Sequence, residues 1–67
     1  MNRYRIIVEQ ITPDDKLVEE DRRSKPAGRY LYAAGDPKQA LFRFHQEIPI
    51  VRGDDFTVEV EEYRDHG

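Results

Sequence analysis

Cysteine and tryptophan are absent from this chain, methionine occurs once and histidine twice. Without cysteine there is no disulfide, no thiolate metal site and no cysteine nucleophile, which excludes a thioester-carrying enzyme. His45 and His66 alone are too few for a histidine-based metal site. No apolar run approaches the ~20 residues that a membrane-spanning helix needs. Met1 leads directly into Arg3-Tyr4-Arg5, not into a signal-peptide pattern, and a cytoplasmic location is expected. A basic excess is missing too: 14 acidic residues stand against 11 basic ones, a formal net charge of −3. Duplex nucleic acid rewards a basic stripe, so it is not the expected partner. No repeat, low-complexity segment or linker divides the 67 residues. One domain with one small core is expected over 1–63, followed by a polar tail over 64–67. A chain of this size is marginal in stability unless a partner helps it.

What is present is a series of short patterned segments. Tyr4-Arg5-Ile6-Ile7-Val8-Glu9-Gln10 is β-branched and aromatic, the signature of a strand, with Tyr4, Ile6 and Val8 on one face. Thr12-Pro13-Asp14-Asp15 is turn chemistry, and Lys16–Glu20 reads as a return strand completing a hairpin. Ser24-Lys25-Pro26 is a helix start signal, and Ala27, Tyr30, Leu31 and Ala34 then recur at helical spacing. Gly35 with Asp36-Pro37 reads as that helix's stop. Gln39–Gln46 reads as a third strand with Phe42 and Phe44 inward, and Ile48–Val51 as a short edge strand or hooked loop. After a turn at Arg52–Asp55, the segment Phe56–Tyr63 alternates cleanly, with Phe56, Val58 and Val60 on one face.

One helix must then cover the apolar face of the sheet. The expectation is an α+β fold, a mixed four- to five-stranded sheet packed on one short helix, with the first and last strands adjacent in the middle. This describes a β-grasp.

The charged clusters read as solvent chemistry. Glu19-Glu20-Asp21-Arg22-Arg23 carries both signs side by side, as a strand end and loop do. Asp14-Asp15 and Asp54-Asp55 each belong to a turn, and no phosphate loop or metal spacing joins them, so hydrolase chemistry is unsupported. Arg52-Gly53-Asp54 spells an adhesion motif, but its place before a strand reads as a turn. His45 is expected on the surface.

The stretch Gly28–Pro37, then Gln39–Phe44, then Ile50–Val60 resembles bacterial ubiquitin-like proteins, in particular multiubiquitin-type β-grasp domains. The resemblance covers residues 26–60, and the first hairpin more loosely. It implies a protein modifier that is not itself an enzyme and needs no cofactor or metal. Its reactive group is the carboxylate of Gly67, and glycine suits a narrow enzyme channel because it lacks a Cβ. The implied partners are an E1-like activating enzyme, an E2-like conjugating enzyme, a deconjugating peptidase and an acceptor joined by an isopeptide or ester bond. Bacterial systems of this type act in antiviral defence. Arg64 and His66 are the implied tail-recognition residues, and His66 departs from the Gly-Gly ending of ubiquitin. On the outward face the expected partner surface is Ile7, Leu41, Arg43 and Glu59, with Tyr32 as a further contact on the helix. The alternative is a β-grasp docking module that binds a protein partner and is never conjugated.

Overall fold

The computed structural model describes residues 2–63. The order of elements is β1 (Asn2–Gln10), α1 (Glu19–Ser24), β2 (Gly28–Ala34), α2 (Pro37–Glu47) and β3 (Phe56–Tyr63), with single-turn 3-10 helices at Asp14–Lys16 and Gly53–Asp55. The class is α+β, and among the described residues the sheet has three strands in the order β2-β1-β3, not four or five. β1 lies at the centre and runs antiparallel to both neighbours. β2 and β3 are therefore parallel to each other, and parallel strands need a crossover longer than a hairpin loop. α2 provides it, so β2, α2 and β3 form a split β-α-β unit around β1.

The first and last strands do pair, as their inward stripes imply, but β3 lies at an edge and not in the middle, and three segments differ from expectation. Lys16–Glu20 is not a return strand. Leu17 is buried in the core and the chain then enters α1, whose Glu19, Glu20 and Asp21 occupy the first turn and Arg22 and Arg23 the last. That charge order complements the helix dipole, and it turns a block that reads as loop into helix.

Gly28–Ala34 is β2, not a helix. Its helical spacing coincides with a period of two in which Tyr30, Tyr32 and Ala34 meet the core while Arg29, Leu31 and Ala33 face away. Gly28 sits at φ +152°, a strand-entry geometry that side chains rarely adopt.

Gln39–Gln46 belongs to α2. Asp36 is its N-cap, accepting the Gln39 amide at 2.8 Å, and Pro37 occupies the first turn. The Asp-Pro pair that reads as a stop is a start.

The core lies between the sheet and α2, with Leu17 at its margin: Tyr4, Ile6, Val8, Ala34, Ala40, Phe44 and Phe56 are buried there. Phe44 is fully buried, and its ring lies 5.2 Å from that of Tyr30. Removing such a side chain from water is worth roughly 1.5–3 kcal/mol. Phe42, two residues earlier, is 64 % exposed. Ile48–Val51 forms no strand; Ile48 and Ile50 pack against the core from a loop. The Arg52–Asp55 turn is present as the second 3-10 helix.

Candidate functional site

α2 covers one face of the sheet, and among the described residues no element covers the other. The register fixes what that open face presents. Across the three strands the rows are Ala33–Arg3–Tyr63, Leu31–Arg5–Glu61 and Arg29–Ile7–Glu59. Arg5 donates to Glu61 at 3.2 Å, and its guanidinium lies 4.9 Å from the centre of the Tyr63 ring. An exposed ion pair of this kind adds up to ~1 kcal/mol, and the aromatic face adds a comparable attraction. Both hold Arg5 flat along β3.

An antiparallel sheet with one wet face ordinarily alternates apolar-in and polar-out. Here Ile7 and Leu31 break the alternation: Ile7 is half-buried at the centre of the open face, and Leu31 is 52 % exposed beside it. Acid stands on β3 at Glu59 and Glu61 and at the end of β1 at Glu9, while β1 and β2 contribute Arg3, Arg5 and Arg29.

The five residues expected to form a partner surface are divided by this fold. Ile7 and Glu59 are brought together, directly opposite each other on β1 and β3. Leu41 and Arg43 are not on the sheet at all. They lie on α2, where Leu41 packs against the core and Arg43 Nη1 donates to the Ala33 carbonyl at 2.9 Å. Tyr32 is on the core side of β2, on the same side as Tyr30 and not opposite it; its hydroxyl donates to Glu47 at 2.9 Å. Burial, together with the hydrogen bond and charge of Glu47, pushes the Tyr32 phenol up to about 12. Arg64, His66 and Gly67 lie outside the described residues.

Leu31 and Tyr63, with Arg3, Arg29 and Ala33, are the members of the open face that the sequence reading missed. Leu31 counts as core only if its segment is a helix. The signal that could have found it is the alternation Arg29, Leu31, Ala33 against Tyr30, Tyr32, Ala34.

On the other side of the molecule a hollow of about 380 Å³ opens between α1, β2 and the segment after α2, with Glu20, Asp21, Tyr30, Glu47 and Ile48 in its wall. Asp21 is fully buried, and its Oδ1 accepts the Val51 amide at 3.2 Å. That bond ties the loop after α2 onto α1. Among the described residues no three His, Asp or Glu side chains are gathered closely enough to hold a metal ion, and no helix is long and apolar enough to cross a membrane.

Comparison of the chain with family models, curated proteins and solved structures returns no match.

Proposed function

We infer that this domain is a protein-docking module whose open sheet face receives an amphipathic helix carrying an apolar stripe and a basic flank. The observation that carries the reading is the pair Ile7 and Leu31, apolar side chains standing where a solvated face calls for polar ones. Apolar side chains flanked by charge suit a partner that is itself amphipathic. Glu59 and Glu61 along β3 set the orientation, because a basic flank laid over them gains attraction and an acidic flank is repelled.

The part of the β-grasp reading that this fold supports is a helix packed across a sheet whose first strand is central. Conjugation through the Gly67 carboxylate depends on residues outside the described ones, so docking is the function that the geometry favours. The residues available for it are contact residues, and no step of bond-making is assigned to them.

A leucine-striped helical peptide with a lysine flank, and its twin with a glutamate flank, test the reading. The lysine peptide is expected to bind more tightly by on the order of tenfold at low salt, with the difference shrinking as salt screens the acid edge. Ile7→Asp should abolish the binding of both. Equal affinity for the two peptides, or binding unaffected by Ile7→Asp, would overturn the assignment.

A further inference from the structure

The hollow between α1, β2 and the loop after α2 has acid in its wall and no basic side chain. Glu20 and Asp21 reach it from α1, and Glu47 from the last position of α2. None of these three carboxylates is paired with a cation among the described residues. Arg23 of α1 is held elsewhere, by Glu19 at 2.7 Å. Glu47 also stands against its own helix, because a helix C-terminus carries partial negative charge and favours a cation beside it. Its one hydrogen-bond donor is the neutral Tyr32 hydroxyl at 2.9 Å, which leaves that charge uncompensated.

Asp21 is an independent pointer to a ligand. It is fully buried, with Oδ1 bonded to the Val51 amide at 3.2 Å. Val51 belongs to the wall too, so the carboxylate lies on the hollow's side of α1. Oδ2 has no hydrogen-bond partner among the described residues. A buried carboxylate oxygen without a donor carries its full desolvation cost, and such groups are rare in folded proteins. A donor arriving through the hollow removes that cost.

The remaining wall selects the kind of cation. The three carboxylates are not gathered closely enough to hold a metal ion, so a wider group suits them. Tyr30 is half-buried with its hydroxyl already donated to the Pro26 carbonyl at 2.6 Å, which leaves its ring, and Ile48 and Pro49 add apolar surface. A guanidinium on an aliphatic chain matches both features. It is planar and more weakly hydrated than an ammonium, it stacks on aromatic rings, and its five N–H donors can reach separate carboxylates at once. Its methylenes lie along apolar surface while the charged head stays with the acids. The volume of about 380 Å³ falls within the roughly 300–1,000 Å³ of small-molecule sites.

We propose that this hollow binds an alkylguanidinium group, either an arginine side chain of a partner protein or a free small molecule, with one N–H donating to Asp21 Oδ2 and others to Glu20 and Glu47. Access to the buried Oδ2 comes through the loop wall, where Pro49 and Val51 are exposed and belong to no helix or strand. The site is on the opposite side of the molecule from Ile7 and does not rest on the docking of a helix there.

Titration with butylguanidinium, followed by amide shifts, tests the proposal, with butylurea as the neutral isostere and butylammonium as the point-charge control. Saturable shifts are expected at Glu20, Asp21, Glu47 and Val51 in the millimolar range, with butylurea silent and butylammonium weaker. Glu20→Gln combined with Glu47→Gln, both at exposed positions, should weaken binding by on the order of tenfold while the circular dichroism stays that of the native fold. Asp21→Asn, which keeps an acceptor for the Val51 amide, should weaken it as well. Ile7→Asp, which removes the helix docking, should leave it unchanged. A blocked Gly-Arg-Gly peptide separates the two sources: tighter binding than butylguanidinium assigns the site to an arginine of a partner protein, and weaker binding to a free small molecule. No saturable shift at tens of millimolar, an equal response to butylurea or butylammonium, affinity unchanged in the double variant, or binding lost in Ile7→Asp would each overturn it.

Discussion

The carboxylate of Asp21 holds the main-chain amide of Val51 across 30 residues of sequence, Oδ1 to N at 3.2 Å, from a fully buried position. Oδ2 of the same group has no hydrogen-bond partner among the described residues. One oxygen thus anchors a loop while the other adds a desolvation cost. Asp21→Ala should lower stability by about 2 kcal/mol, because it orphans a partly buried amide. Asp21→Asn keeps an acceptor for Val51, and should cost less than half as much. Urea unfolding of the two variants checks the order, and an equal loss for both would contradict it.

Tyr32 supplies a pH dependence. Its phenol ordinarily titrates at 10.0 and is pushed up to about 12, chiefly by burial and then by the neighbouring Glu47. The folded chain therefore binds this proton more tightly than the unfolded chain does. The stabilisation is complete below pH 10 and is lost as the pH rises towards 12. Tyrosinate absorbance should show a late step that belongs to Tyr32, and Tyr32→Phe should remove it. A titration unchanged by Tyr32→Phe would count against the assignment.

Two backbone positions between α1 and β2 predict opposite responses. Lys25 closes α1 in the left-handed region at φ 51°, ψ 64°. Glycine carries no penalty there, so Lys25→Gly should stabilise by about 1 kcal/mol, or raise Tm by roughly 4–8 °C in a domain of this size. Gly28 has φ +152°, and a Cβ there would meet nothing closer than the Tyr30 hydroxyl at 3.9 Å. The cost of Gly28→Ala is therefore one of backbone conformation, about 1 kcal/mol or more. Calorimetry on the pair should show Tm moving in opposite directions.

Phe42 and Phe44 separate the helix from the strand that an alternating pattern implies. On a strand both would be inward and their loss equally harmful. On α2 Phe44 is fully buried and Phe42 exposed. Phe44→Ala should cost about 3–5 kcal/mol, enough to unfold most of the protein. Phe42→Ala should change stability by less than about 0.5 kcal/mol.

The first and last strands of the chain were legible in the sequence and the segments between them were not. β1 and β3 carry alternation long enough to exclude a helix, and their pairing follows from their inward stripes. Gly28–Ala34 satisfies both periods at once, since Tyr30 and Ala34 are inward on a helix or on a strand alike. The local alternation of Arg29, Leu31 and Ala33 against Tyr30, Tyr32 and Ala34 favours the strand, and the pairing of Leu31 with Arg5 on β1, which decides it, is distant in sequence. Misreading this segment pushed the next one into the opposite error, because Asp36-Pro37 serves equally as a stop or as an N-cap and first turn. The docking face was half legible for the same reason. Ile7 and Glu59 sit on the correctly read strands, whereas Leu41 and Arg43 inherited the wrong period. Asp21 gave no signal, since nothing in a mixed charge block marks which carboxylate is buried.

The central claim is that Ile7 and Leu31 make the uncovered sheet face a docking surface for a basic amphipathic helix. Its most direct test is the mapping of amide and methyl shifts on titration with the lysine-flanked peptide. The account predicts perturbations at Ile7, Leu31, Glu59, Glu61 and Tyr63, with Ala40 and Phe44 on the helix side unmoved. Perturbations centred on α2, or none at saturating peptide, would contradict it.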